Sequence, residues 1–416
     1  MKALINVRIY DYERYIELGY VIFDQKILEV GEMKNFSNWS ELPVEDGRGL
    51  FLIPGLVNGH THIYSTLFRG SPLNVLPNNF LEILSKKWWK FDKELTLPTI
   101  KESALGHGRS ALLSGVTSLI DHHASGEIIG SLQVISKELE NLGIKHILCF
   151  ETSDRFDVNR CISENLSLGK LRGHFGLHAS LSLSDETLKS VSYVLDRPIH
   201  IHVAESNADE ILTQERYGKK VIERLDEFGL LLADSILAHC VHINDDEAQI
   251  IKDRNCQIAI NPTSNTNNAV GIYNNKLLQE KAIPVLVGTD GLGSNIAKEY
   301  QYLYYLGNQS NNHPSKVSLD WIKAQIENSY NYFNRVYGCK IGRIKKGYDS
   351  DFILFKYESI TPINDENIFA HLLFGMFEAL KPDTVYTSGK KRVDEYRVIG
   401  SRKVDSEVVE NLWRCL

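Results

Sequence analysis

The chain has 416 residues, 43% hydrophobic and 24% charged, close to the averages of folded soluble proteins. A mainly disordered chain is therefore excluded, and at roughly 100–200 residues per domain two or three domains are expected. The 46 Lys and Arg against 53 Asp and Glu leave a net charge of −7 without a long basic block, which disfavours nucleic acid or an anionic membrane as partner.

In chain order, the first fifty residues read as β-structure. ALINVRIY and IELGYVIFDQKILEVGEM are β-rich runs broken by Gly and Asp. Arg8, Asp11, Glu13 and Arg14 interrupt the apolar stretch that a signal peptide needs. No apolar run approaches the roughly 18 residues of a membrane span. From about Pro54 to Ile341 short apolar runs alternate with longer helical stretches, as in βα units around a parallel sheet. Eight strand candidates follow one another: residues 56–62, 116–123, 145–151, 173–180, 199–205, 236–242, 257–262 and 284–290. Helical segments such as SLQVISKELENLG, DETLKSVSYVL and DDEAQIIKDR separate them, with Ser184 and Asn244 as N-caps. The β-texture returns in DFILFKY and in DTVYTSGKKRV. The expected fold is α/β: a (β/α)8 TIM-type barrel over 55–341, with a small composite β-domain from residues 1–54 and 342–416. Six cysteines without a CxxC pair read as reduced thiols, and the expected location is the cytoplasm.

The strand ends carry the chemistry. His60 and His62, Asp121 to His123, His178, His202 with Glu205, His239, and Asp290 all fall at the C-terminal ends of strand candidates, where barrels of this type place their active sites. Buried without partners such groups cost several kcal/mol, roughly, so their recurrence needs a reason beyond packing. His60 and His62, two residues apart on a strand, project to one face and suit a divalent ion. His202 and Asp290 would complete a His3Asp set that leaves a position for water, although Asp290 before Gly291 also suits a capping turn. Glu205 and His239 are placed to reach that water, against the plainer readings of a loop acid and a core histidine. His200, one layer deeper, suits a supporting role. His123 and His178 face either substrate or the barrel rim. Arg155, Trp88 and Trp89 would contact a flat polar substrate, or else make ordinary surface pairs and helix packing.

The set PGLVNGHTH, HIHVAES, ILAHC and VGTDG resembles the amidohydrolase superfamily, in its mononuclear cytosine deaminase-like and chlorohydrolase branch. The resemblance covers nearly the whole chain, and IGRIKKGYDSDFILF is similar to the segment by which such enzymes re-enter their small β-domain. It implies His60, His62, His202 and Asp290 as ligands of one divalent transition metal, Zn2+ first and Fe2+ second. Glu205, His239 and Asp290 become the catalytic groups. GHFGLHAS on the fourth strand has no lysine to carboxylate, so a single metal is expected. Homodimerisation is the habit of the family. NPTSN departs from patterns in related deaminases, so their base specificity is not carried over.

Three readings of function compete. The leading one is an aminohydrolase releasing ammonia from a purine-like or other N-heterocyclic small molecule. A cyclic-amide hydrolase opening a ring on the same site is the alternative. A non-catalytic barrel in an enzyme assembly is disfavoured because all four ligands are present.

Overall fold

The computed structural model describes residues 1–37, 42–71 and 75–416. Five strands open the chain: β1 (Lys2–Tyr10), β2 (Tyr15–Phe23), β3 (Ile27–Glu32), β4 (Val44–Asp46) and β5 (Phe51–Pro54). Eight parallel strands follow: β6 (Leu56–Thr61), β7 (Val116–His123), β8 (Lys145–Phe150), β9 (Phe175–Ala179), β10 (Ile199–Val203), β11 (Ile236–His239), β12 (Gln257–Ile260) and β13 (Val285–Val287). The chain returns to antiparallel pairing with β14 (Phe352–Phe355), β15 (Pro382–Thr387), β16 (Lys390–Asp394) and β17 (Arg397–Val398).

Strands from the two ends of the chain share one nine-stranded sheet, ordered β17-β16-β15-β14-β5-β1-β2-β3 with β4 on β1. The join is β14 against β5, antiparallel, with Phe352 opposite Pro54 and Phe355 opposite Phe51. Bulky β-formers on its inner face pack into a core with Leu4, Val7, Phe23, Leu52, Phe352 and Tyr386.

The parallel strands form two arcs, β6-β7-β8 and β13-β12-β11-β10-β9. Every residue of β6, β7 and β10 to β13 is buried, as expected when both faces of a parallel sheet are covered. Isolated parallel bridges join the arcs: Leu148 to Gly173 and Thr152 to Leu177 on one side, Thr61 to Asp290 on the other. The result is a TIM-barrel-like α/β fold. Where β6 approaches β13, a Cβ on Gly288 would stand 2.5 Å from the His60 carbonyl oxygen and 2.4 Å from Asn261 Oδ1. Only glycine lets the two strand ends come this close.

The helices start as their caps dictate. Ser184 Oγ accepts from Thr187 N at 3.3 Å. Asn244 Oδ1 accepts from Glu247 N at 2.9 Å while Glu247 Oε2 accepts from Asn244 N at 3.0 Å, a reciprocal capping box. A helix at Ser406–Cys415, not anticipated from the sequence, lies over the segment after β6. Its Trp413 Nε1 donates to the Leu67 carbonyl at 2.9 Å. Among the described residues no helix is long and apolar enough to cross a membrane.

Candidate active site and metal centre

The ends of β6, β10, β11 and β13 converge on one point. Its backbone is unusual: Ala204, His239, Cys240 and Asp290 have φ of 44°, 76°, 50° and 50°. Non-glycine residues rarely adopt this left-handed region, and it clusters at functional sites. Here it turns His239 and Asp290 away from strand alternation and toward the barrel axis.

One ligand atom each from His60, His62, His202 and Asp290 lies within 4.8 Å of every other. His62 Nε2 and His60 Nε2 stand 2.9 Å and 3.3 Å from Asp290 Oδ1, and His202 Nε2 stands 3.2 Å from His62 Nε2. The outer nitrogens explain what the inner ones are for. His62 Nδ1 lies 2.6 Å from the His122 carbonyl oxygen and His202 Nδ1 lies 2.9 Å from that of His178. A carbonyl only accepts, so both Nδ1 atoms carry protons. With both rings neutral, lone pairs would face each other across 3.2 Å, an arrangement that calls for a cation between them, a proton or a metal ion. The electrostatics agree. Burial opposes charge on His62, but hydrogen bonding to Asp290 and its negative charge outweigh this and raise the ring to about 9. Burial likewise opposes ionisation of Asp290, yet hydrogen bonds from His60 and His62 hold its carboxyl well below the ordinary range. The donor set fits a divalent metal. His60 Nδ1 meets His200 Nε2 at 2.8 Å, so His200 braces a ligand from below.

Glu205, His239 and Asp290 form a second close group. His239 Nε2 is 3.5 Å from Glu205 Oε2. Burial raises the Glu205 carboxyl above its ordinary value, with the charge on His239 pulling the other way. A cavity opens over both groups, lined among others by Tyr64, Trp88, Trp89, Asp92, Glu151, His178 and Asn268. It continues outward into a cleft of about 830 Å³ flanked by Phe68, Arg69, Lys87 and Asn267.

Of the sequence-derived substrate contacts, His178 and Trp88 reach the cavity wall. Arg155 and His123 are placed otherwise. The Arg155 guanidinium pairs with Asp92 Oδ2 at 3.0 Å and Glu151 Oε1 at 2.6 Å, and stacks 4.9 Å from the Trp89 ring. It therefore acts through two carboxylates that face the cavity. His123 is wholly buried, 3.1 Å from Ser125 Oγ, with its ring 5.7 Å from that of Tyr64. Sequence reasoning passed over Asp92, Glu151, Asp209, Ser264, Asn265 and Asn268. Asp209 accepts from Leu181 N and Ala204 N, both at 3.0 Å, and so ties the ends of β9 and β10 together. The only local signal at these positions was the polar run after β12.

Three imidazoles and a carboxylate at the strand ends, with an acid and a histidine beside them, form a candidate catalytic centre of the kind a metal-dependent hydrolase needs. The amidohydrolase family model matches residues 51–392, and the chain belongs to the amidohydrolase family. It is a hydrolase of carbon–nitrogen bonds. It is 29% identical over 407 residues to a 5'-deoxyadenosine deaminase of Methanococcus maripaludis (strain C5 / ATCC BAA-1333), covering 93% of this chain and 92% of that one. To a 5-methylthioadenosine/S-adenosylhomocysteine deaminase of Carboxydothermus hydrogenoformans it is 28% identical over 406 residues, covering 92% and 91%. The fold is shared with a zinc-bound adenosine deaminase from Xanthomonas campestris at a TM-score of 0.82 and 18% identity, covering 99% and 97% of the two chains. It is shared equally with the zinc complex of the atrazine chlorohydrolase TrzN from Arthrobacter aurescens TC1, at 0.79 and 21% over the whole of both chains.

Proposed function

We propose that this chain is a zinc- or iron-dependent aminohydrolase that releases ammonia from an aminopurine nucleoside or a close N-heterocyclic relative. The observation that carries the reading is the meeting of His60, His62, His202 and Asp290 beside the Glu205–His239 pair, on the floor of an open cavity. Relatives named as deaminases of adenine nucleosides, similar over some nine-tenths of the chain, support the substrate class.

In this reading the four residues would hold one divalent metal, and the chemistry supplied there would be Lewis-acid activation of water near neutral pH. Glu205, its carboxyl raised by burial, takes the proton of the attacking water and passes it to the ring nitrogen of the substrate. With a proton on Nε2 as well as on Nδ1, His239 holds the developing oxygen charge from the side facing Glu205. Asp290 relays the second proton of that water to the amino group, which leaves as ammonia. Trp88 and Trp89 enclose a flat ring, and His178 meets its polar edge.

The same reading divides the chain into a closed (β/α)8 barrel over residues 55–341 and a composite β-domain from 1–54 and 342–416. The motifs DHHAS, CFETSDR, NPTSNTNNAVG and PINDENIFAHLLFGM resemble the aminohydrolase SsnA, and we count that kinship with it. The enzyme would work in the cytoplasm as a homodimer, the commonest oligomer of soluble proteins. The test is a screen of aminopurine nucleosides and other N-heterocycles with the zinc- and iron-loaded protein, read by ammonia release and by ring absorbance. Ammonia from 5'-deoxyadenosine is expected. A change in ring absorbance without ammonia would replace deamination with ring opening.

A further inference from the structure

Strand β12 runs straight into a short helix, Pro262–Asn267, of sequence PTSNTN. Its first turn is anchored from behind by Glu299, whose carboxylate accepts from Thr263 N at 3.0 Å and Thr263 Oγ1 at 2.6 Å. The other side of the helix sends three side chains to three different strand ends. Ser264 Oγ donates to Asp290 Oδ2 at 2.5 Å. Asn265 Oδ1 lies 2.7 Å from His239 Nδ1. Asn268, at the C-cap, donates Nδ2 to Glu205 Oε1 at 3.1 Å.

The division of labour among the recipient atoms is complementary. Ser264 occupies one oxygen of Asp290, and the other, Oδ1, is the one turned to His60 and His62. Asn268 occupies Oε1 of Glu205, and Oε2 is the one turned to His239. The amide oxygen of Asn265 only accepts and, at 2.7 Å, lies nearer His239 Nδ1 than Asn261 Nδ2 does at 3.4 Å, so His239 keeps a proton on Nδ1 and presents Nε2 to Glu205. Ser264 and Asn265 are buried, where hydrogen bonds hold orientation more firmly than in water.

We infer that Ser264, Asn265 and Asn268 are positioning residues, and that this one turn sets the free oxygen of Asp290, the tautomer of His239 and the rotamer of Glu205 together. The inference rests on the proposed roles of those three groups. It predicts that the turn's side chains separate by function: Ser264 acts on metal affinity, whereas Asn265 and Asn268 act on turnover.

The experiment uses the full-length protein and Ser264→Ala, Asn265→Leu, Asn265→Asp and Asn268→Ala. Zn2+ affinity is read by competition with a chromophoric chelator, and kcat and KM on 5'-deoxyadenosine by ammonia release. Loss of a ligand's hydrogen-bond partner typically weakens a metal site by about 10–100-fold, and that is expected for Ser264→Ala. Asn265→Leu and Asn268→Ala should keep zinc affinity within about threefold and lose at least about tenfold in kcat at little-changed KM, the pattern of an interaction that matters in the transition state. Asn265→Asp keeps an acceptor at Nδ1 and should recover most of that loss. Unchanged zinc affinity in Ser264→Ala overturns the inference. So does an equal fall in zinc affinity in all four variants in step with their melting temperatures, since mere packing of the helix would do that. Should the wild-type protein release ammonia from none of the screened N-heterocycles, the functional reading fails, while the contrast in zinc affinity between Ser264→Ala and Asn265→Leu still decides the inference.

Discussion

The core of the nine-stranded sheet and the C-terminal rim of the parallel strands are both buried, and they use burial in opposite ways. In the sheet, Phe23 meets Phe352 and Tyr386 edge-on at ring distances of 5.0 Å and 5.2 Å. Ion pairs such as Lys391–Glu45 and Lys26–Asp349 keep partial access to solvent. The rim buries His60, His62, His122, His123, His178, His202 and His239, and turns its backbone into left-handed conformations. Burying apolar area stabilises a fold, whereas burying imidazoles and carboxylates costs it unless each finds a partner. The sheet is therefore where stability is made and the rim is where it is given up.

That contrast breaks most visibly at His202. Replacing it with Ala should abolish both metal binding and activity, because a ligand of the central set is lost; elemental analysis should find about one transition-metal ion per chain in the wild type, as expected of an open His3Asp site, and far less in the variant. Glu205→Gln should separate the two properties. Its metal content should stay near wild type while turnover falls by about 10²–10⁴-fold, the usual worth of a positioned proton-transfer group.

On the opposite side of the comparison, Phe23→Ala should cost about 3–5 kcal/mol of stability, as large-to-small changes at well-packed aromatic sites do. Denaturant melts would show it, and kcat per folded molecule should not change. The smallest effect concerns pH. Burial raises Glu299 to about 7 from 4.5, with hydrogen bonds from Thr263 pulling the other way. The folded state thus holds this proton more tightly than the unfolded chain. The stability linked to Glu299 is fully present below pH 4.5 and is lost as pH rises through about 7. Glu299→Gln should flatten that part of the stability profile, measured by melts at either end of the window.

Much of this was legible from residues alone, and the misses have physical causes. The run VTSLIDHH marks β7 at its true bounds, Val116–His123. The candidates ending at 242 and 290 overshoot, because β11 stops at His239 and β13 at Val287. Past His239 apolar residues continue in Cys240 and Val241, and past Val287 the polar Thr289 and Asp290 read as a functional strand end, but the backbone turns left-handed at His239, Cys240 and Asp290, which no periodicity reports. The HxH pair could be read from its spacing. Its meeting with His202 and Asp290 depends on which strands are neighbours. The sequence leaves Arg155 open between a substrate contact and a surface pair, because Asp92, one of its two carboxylate partners, lies 63 residues away. The C-terminal helix had a signal in Val409, Leu412 and Trp413 behind the cap Asp405, and the reading of that end as all β hid it.

The docking of that helix has a practical consequence. Trp413 grips the Leu67 carbonyl and its ring edge lies 3.5 Å from where a Gly70 side chain would start, while Phe68 and Arg69 between them flank the outer cleft. The helix Ser406–Cys415 is thus held against the segment that flanks the cleft leading to the candidate site. An affinity tag fused there would act on substrate entry as well as on purification, and kinetic constants from such a fusion should be compared with those from a protein tagged at Met1.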